Sequence, residues 1–335
     1  MLISIAISPE CFGPDAIKDI ESKEAAEAVL AALQNNSVLL CDSESAWLDR
    51  LRASVLALNK SNLRLGQAIQ IRVEELLKQQ RLSSISLGKN FRCQEAERIR
   101  RIAKALNADI AIGATASETT NLRALVKEGV EVCALGDYSN SDTEYKRRIW
   151  VEPQDLNAMD GFLAASVVGR AVKYSKTIEF IDPHIGKRGR EGRQTRELKR
   201  TAEAILYVAE QWSDSSPYHS GDGVDVLIVT RGGDVGAGGF VDPSKARKAI
   251  SLALKDCDRA EIIRTSKVFF KQDVSPSRFR ARFIRAGQHC WSIGHEISDL
   301  ARLRKPAGER GDLFIEQDCK LFRKLVVDIS ELPDA

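Results

Sequence analysis

The sequence has no apolar run long enough to cross a membrane. The best candidate, Gly161 to Gly169, is half of the roughly 20 residues a spanning helix needs, which argues against a transmembrane segment. The opening residues, Met1-Leu2-Ile3-Ser4-Ile5, carry no basic leader and no small-residue cleavage pattern, so they read as a first strand rather than a signal. No C-x-x-C occurs among the seven cysteines (Cys11, Cys41, Cys93, Cys133, Cys257, Cys290, Cys319), which sets aside a zinc ribbon and a thioredoxin-type centre. An odd, scattered set of cysteines suits a reducing cytoplasm, and a cytoplasmic location is the expectation. Aromatic residues make up only 6%, few for a surface built on exposed aromatic anchors. There is no internal repeat, no long low-complexity tract and no large excess of one charge, the net being +3.

What is present suits a globular chain too long for one ordinary domain: 335 residues, 43% hydrophobic and 29% charged. The halves differ in charge. Residues 1–170 hold 21 Lys and Arg against 23 Asp and Glu, whereas residues 171–335 hold 29 against 24. The excess lies in two runs, Lys187 to Arg200 and Arg264 to Arg285, both candidate surfaces for an anionic partner.

The first half alternates strand and helix patterns. Strands are expected at Leu2 to Ser8, Ser37 to Cys41, Ala108 to Gly113 and Val130 to Leu135. Helices are expected at Lys23 to Gln34, Ala46 to Asn59, Gln67 to Gln80, Glu95 to Leu106 and Thr119 to Glu128, the last stopped by Gly129. Ser83 to Phe91 reads as a polar break and Ser139 to Glu144 as a loop, with a domain boundary between that loop and about Tyr174. The rhythm predicts a layered parallel α/β sheet in a domain over 1–150, and a second α/β domain over 174–330. In the second half, strands are expected at Thr177 to Ile181, Val224 to Thr230, Ala260 to Arg264, Val268 to Phe270, Arg282 to Ala286, Cys290 to Ile293 and Leu313 to Glu316. Helices are expected at Arg193 to Trp212, Pro243 to Lys255 and His295 to Arg302, with a flexible loop over Ser213 to Gly223.

Three pieces of the second half fall in an informative order: Ile178-Glu179-Phe180-Ile181-Asp182-Pro183-His184-Ile185, then the strand Val226 to Thr230, then Arg280-Ala281-Arg282-Phe283-Ile284 with Trp291-Ser292-Ile293-Gly294 and Ile297-Ser298-Asp299-Leu300. Over about residues 174–325 this resembles the phospholipase D-like fold, in the branch of the C-terminal domain of microtubule-interacting-and-trafficking (MIT) proteins. The resemblance implies an α/β sandwich and phosphodiester chemistry through paired H-x-K-x-x-x-x-D motifs, in which one histidine attacks phosphorus and the other protonates the leaving oxygen. This sequence departs from that pattern. His184-Ile185-Gly186-Lys187 is H-x-x-K, which on a strand sends His and Lys to opposite faces. Arg280-Ala281 stands where the branch has His-Asp, and Arg282 alone matches. An arginine holds a phosphate but is no nucleophile, so retained phosphate binding with lost chemistry is the expectation.

The first half resembles, more weakly, a PIN-like ribonuclease fold, the alternative being a generic Rossmann-type sheet. That resemblance implies carboxylates converging on Mg²⁺. Ser8 stands where the first aspartate is expected, and Ala114-Thr115 where a later one is. Asp42 and Glu95 are the candidate metal ligands, with Asp49 and Asp137 also possible and Mg²⁺ the possible cofactor.

The remaining candidates are less specific. Arg231 to Gly239 follows a strand and precedes a helix but matches neither G-x-G-x-x-G nor the Walker pattern. In the first basic run Arg193, Arg196, Lys199 and Arg200 share a helix face, and Lys187 precedes them; in the second, Arg278, Arg280 and Arg282 would share a strand face. Lys187, Arg193, Arg196, Arg280 and Arg282 are therefore the candidate phosphate-binding residues. His184 and His295 are the candidate catalytic pair. His289, Cys290, His295 and Cys319 match no zinc spacing. The function expected first is a nucleic-acid-binding component of a prokaryotic defence or mobile-element system, acting with a protein partner such as an ATPase, and possible as a homodimer. Two alternatives stand beside it: an active metal- or histidine-dependent nuclease, and a module that recognises a protein or a lipid headgroup.

Overall fold

The computed structural model describes residues 3–35, 37–44, 46–78, 82–88, 94–149, 154–185, 191–219, 223–232, 243–272, 282–287, 289–294, 296–309 and 313–317. The chain divides into two compact units, Met1–Val151 and Glu152–Ala335.

In the first unit the elements run β1 (Ile3–Ile7), α1 (Ile20–Asn35), β2 (Ser37–Asp42), α2 (Ala46–Ser61), α3 (Leu63–Lys78), β3 (Leu82–Ile85), α4 (Glu95–Ala105), β4 (Ile110–Gly113), α5 (Ala116–Leu122), β5 (Glu131–Ala134) and α6 (Asp142–Ile149). Every residue of β1, β2 and β4 is buried, as expected for parallel strands covered on both faces. The sheet order is β3-β2-β1-β4-β5, and all four pairings are parallel. The chain therefore steps outward from β1 through β2 to β3, then returns to β4 on the other side of β1. The C-terminal ends of β1 and β4 flank this reversal, the place where open parallel sheets form a crevice. Trp47 of α2 locks that end of the sheet, its buried indole Nε1–H donating to the Ile7 carbonyl at 2.7 Å.

Two segments read as irregular contain regular structure. Ser83 to Phe91 contains β3, which pairs with β2 from Leu39↔Leu82 to Asp42↔Ile85. An edge strand buries little, so Leu82-Ser83-Ser84-Ile85 needs no hydrophobic pattern; buried Ser83 offers its carbonyl to the Cys41 thiol at 3.7 Å. Ser139 to Glu144 joins a 3-10 turn (Leu135–Asn140) to α6. Its polar letters spell a helix start: Ser141 Oγ accepts from the Glu144 N–H at 3.1 Å, and Glu131 accepts from the N–H groups of Asp142 and Thr143 at 2.9 and 2.7 Å. Thr119 to Glu128 is a helix only as far as Leu122 and a 3-10 turn beyond it, ending at Gly129 in the left-handed region (φ +81°).

The second unit contains β6 (Gln154–Asp155), α7 (Gly161–Val172), β7 (Thr177–Ile181), α8 (Glu191–Ser215), β8 (Val224–Gly232), α9 (Pro243–Cys257), β9 (Ile263–Gln272), β10 (Phe283–Ala286), β11 (His289–Ile293) and β12 (Phe314–Gln317). Its mixed sheet has the order β6-β12-β11-β10-β7-β8-β9. Strands β7, β8 and β9 are parallel, and β10, β11, β12 and β6 continue the sheet antiparallel. The apolar stretch from Gly161 is α7, a helix capped by Asp160 and packed on α8; a Cβ at Gly169 would stand 3.2 Å from the Gln211 carbonyl. The two short strands expected between Ala260 and Phe270 are one ten-residue strand, β9. The helix expected from His295 is a 3-10 segment, Ile297–Arg304, stacked on α8.

Candidate functional site

The crevice at the end of β1 and β4 collects charged side chains from five elements. Ser8 follows β1, and its hydroxyl bonds to Glu10 at 3.1 Å and to Glu118 at 3.3 Å. Glu118, in the first turn of α5, accepts the Ala114 N–H at 2.8 Å, so it is fixed against the end of β4. Arg50 of α2 lies between two acids, with Nη2 at 2.7 Å from Glu10 and Nη1 at 2.5 Å from Glu95. Arg98, one turn along α4 from Glu95, pairs with Asp42 at the end of β2 at 2.8 Å and lies 3.7 Å from Glu95. The arrangement grades from solvent to core: Arg50 and Glu10 are about 40% exposed at their side chains, whereas Glu95 is 4% exposed.

Glu95 is the unusual member. Arg50 approaches it closely, yet neither buried carboxylate oxygen has an aligned hydrogen-bond donor. Burial pushes its carboxyl up to about 7; Arg50 and Arg98 pull it down, and the neighbouring Glu10 and Glu118 push it up further. A carboxyl near neutrality in a crevice can give or take a proton at cellular pH.

Asp42 and Glu95, expected as metal ligands, are thus brought together, but around Arg98 rather than around a shared open position. Asp42 is further occupied by the Trp47 N–H at 3.4 Å. Among the described residues no three His, Cys, Asp or Glu side chains are grouped as metal ligands. The donor set does not fit Mg²⁺, because guanidinium groups already compensate its carboxylates. Asp49 is exposed and pairs with Arg52 on α2, away from this group. Glu10, Glu118, Arg50 and Arg98 were not singled out in the sequence. Only Glu118 carried a signal: Thr115-Ala116-Ser117-Glu118 is a capping-box pattern, and Thr115 accepts from the Glu118 N–H at 3.1 Å.

In the second unit Asp182 follows β7 and is 2% exposed. Its carboxylate accepts from the His184 N–H at 2.8 Å and from the Ile297 N–H at 3.0 Å, joining the strand end to the 3-10 segment. Arg282, just ahead of β10, lies 3.8 Å from the same carboxylate, and its buried Nε has no hydrogen-bond partner. Arg282 is therefore turned toward Asp182. Arg285 on β10 pairs with Glu179 on β7 at 2.5 Å. His184 is half-buried at this corner, and Thr230 at the end of β8 donates to the Ile185 carbonyl at 2.8 Å. His295, Lys187, Arg278 and Arg280 lie outside the described residues, as do Cys319 and residues 233–239 of the glycine-rich loop; Arg193 belongs to α8, with its side chain outside the description.

Arg196, Lys199 and Arg200 project from the first half of α8, exposed and without an ion pair among the described residues. The end of α9 is close by: the half-buried Cys257 thiol lies within electrostatic reach of Lys199 and Glu203 on α8 and of Arg259. Lys255 and Arg259 are exposed there as well, beside the acids Asp256, Asp258 and Glu261, and neither was anticipated from the sequence.

Comparison of the chain with protein-family models, with curated proteins and with solved structures gives no match in any of the three.

Proposed function

We propose that this chain binds the phosphodiester backbone of nucleic acid through its second unit. The observation that carries the reading is the row of exposed cations Arg196, Lys199 and Arg200 along one stretch of α8, without an ion pair among the described residues. Exposed cations on a helix face match the regular negative charge of a phosphate backbone and release its counterions on binding. On this reading the second unit is a phospholipase D-like domain that grips phosphate and lacks the paired catalytic motif. The protein would then serve a prokaryotic defence or mobile-element system beside a partner such as an ATPase.

The test is retardation of end-labelled single- and double-stranded DNA and RNA, with Mg²⁺, Mn²⁺ or EDTA in separate lanes. Retardation without cutting, weakening as salt rises, is expected. The variant R196A/K199A/R200A, which takes three cations off the helix face, should flatten the slope of log affinity against log salt by about 2 to 3. Binding unaffected by that triple change overturns the assignment.

A second reading, a nuclease in the first unit, is favoured by one observation: the Glu95 carboxyl held near neutrality beside Arg50. There Glu95 would shuttle the proton and Arg50 would steady a phosphoryl oxygen. Cutting that disappears in Glu95→Gln while binding persists would establish it; a wild-type protein that cuts no substrate in any lane removes it.

A further inference from the structure

An open groove of about 580 Å³ runs between α9 and the start of β9. From α9 it takes Ser251, Leu254 and Lys255, which recur at helical spacing and form one stripe, with Asp258 just past the helix end. From β9 it takes Ile263, Arg264, Thr265 and Ser266. Successive strand residues point to opposite faces, so a groove lying over one face would touch only alternate residues. One that touches four in succession follows the edge of the strand. That edge is the outer one, because among the described residues β9 pairs with β8 alone.

The hydrogen bonds show which backbone groups face into the groove. The Asp225 N–H donates to the Lys176 carbonyl, on the β7 side, so the next residue, Val226, turns its groups toward β9. Val226 is in register with Ser266. In a parallel ladder a residue bonds to the two that flank its register partner, and the partner itself faces away. Ser266 thus presents its N–H and carbonyl outward. Val268 belongs to the same outward set, and its carbonyl accepts from Arg247 Nε of α9 at 3.1 Å. At the other end Asp258 accepts from the N–H groups of Ile262 and Ile263 at 2.9 and 2.8 Å. Side chains therefore take up the edge at both ends and leave a window that contains Ser266. Its floor is the buried Leu254. Its charges balance: Lys255 and Arg259 stand with Asp258 and Glu261, and Arg264 is turned back to Asp225 on β8.

We propose that this window docks a short extended segment of a partner protein, added to β9 as an antiparallel strand. One residue of the segment exchanges both backbone hydrogen bonds with Ser266. Directly opposed residues share a face of the sheet, and Ser266 shares its face with the buried Val268 and Phe270, the latter covered by Arg247 of α9. The side chain opposite Ser266 therefore points toward α9 and onto Leu254, a position that calls for an aliphatic residue. Four strand residues span about 13 Å, so the segment is about four residues long. The balanced lining offers a highly charged segment no counter-charge, so the segment carries no net charge. None of this depends on the nucleic-acid reading of α8.

The probe is a random-peptide phage library selected on the immobilised full chain, its enriched sequences then measured as fluorescein-labelled peptides by anisotropy. One aliphatic position among uncharged residues is expected, with an affinity that changes little with salt. Ser266→Pro removes the outward N–H and no bond of the ladder to β8, a change that edge strands tolerate. It should weaken binding by roughly tenfold, as the loss of a backbone hydrogen bond would. Ser251→Tyr fills the groove from α9 and should weaken binding at least as much. In the unmutated protein the peptide should slow hydrogen exchange of the β9 fragment that contains Ser266. Methylation of the backbone nitrogen of the aliphatic residue should abolish binding, and methylation of the next nitrogen should not.

A library that yields no peptide overturns the proposal. Peptides that bind Ser266→Pro and Ser251→Tyr as tightly as wild type dock elsewhere and overturn it too. Enrichment of acidic or basic sequences whose binding falls with salt overturns the uncharged segment. Full binding by the peptide methylated at its aliphatic residue overturns strand addition. If Ser266→Pro does not fold, Ser251→Tyr, the methylated peptides and hydrogen exchange decide the matter.

Discussion

Glu95→Gln is a test of how the crevice in the first unit is balanced. The folded carboxyl sits at about 7, against an ordinary 4.5, and the first cause is burial. Folding therefore takes up a proton between those two values. Below about 4.5 the group is neutral in both states and does not affect stability. As pH rises through the window the unfolded chain ionises first, and above about 7 the folded state bears the whole cost of a buried charge. That cost, with the compensating Arg50 and Arg98 and the opposing Glu10 and Glu118 already included, is about 3 kcal/mol. Gln keeps the shape of the neutral acid and cannot ionise. Arg50 would retain Glu10 at 2.7 Å, and Arg98 would retain Asp42 at 2.8 Å. Glu95→Gln should thus stabilise the first unit by about 2 to 3 kcal/mol near pH 8 and leave it unchanged near pH 4. Urea denaturation across that range, followed by hydrogen exchange of an α4 peptide, measures it. A variant less stable than wild type near pH 8, or a difference that does not vary with pH, would refute the claim that burial outweighs the two arginines.

Three further outcomes follow from the geometry. Trp47→Phe keeps the ring but leaves the buried Ile7 carbonyl without its donor at 2.7 Å, and should cost about 1 to 2 kcal/mol in urea titration. Gly223→Ala demands φ +67° of a side-chain residue and sets its Cβ 2.6 Å from the Ile262 carbonyl; a loss of about 2 kcal/mol or more, read as earlier melting of the second unit by calorimetry, is expected. Asp182→Ala orphans the N–H groups of His184 and Ile297 and strips Arg282 of its counter-charge, for a loss of about 2 to 4 kcal/mol, while Asp182→Asn should recover part of it. Equal losses in those two variants, compared by urea titration, would show that the acceptor oxygens are not what matters.

The sequence displayed its buried strands most clearly. Ile3 to Ile7 and Val38 to Cys41 are apolar or small at nearly every position because both faces are covered, and that pattern survives without knowing the partners. Leu82 to Ile85 was hidden because a strand paired on one side buries too little to impose a pattern. The start of α6 was hidden for the opposite reason: the caps that begin a helix use the same polar residues as a loop. The crevice was half legible. Asp42 and Glu95 stand at the ends of recognisable elements, but the arginines that neutralise them come from α2 and α4 and meet only in three dimensions. On α8 the spacing of Arg196, Lys199 and Arg200 could be read directly, while the nearness of the end of α9 to Lys199 and Glu203 arises only in three dimensions.

The outer strands of the second sheet are unequal, a two-residue β6 at one end and the ten-residue β9 at the other. Among the described residues β9 has one neighbour, so a long row of backbone donors and acceptors faces outward. Such a row is the usual starting point for sheets that grow by adding copies of themselves. Here Arg264, paired with Asp225 on β8, and Lys267 and Lys271 are spaced along it, so a second copy laid edge to edge would have to accommodate three long charged side chains. Charge spaced along an open edge works against pairing of that edge with a second copy.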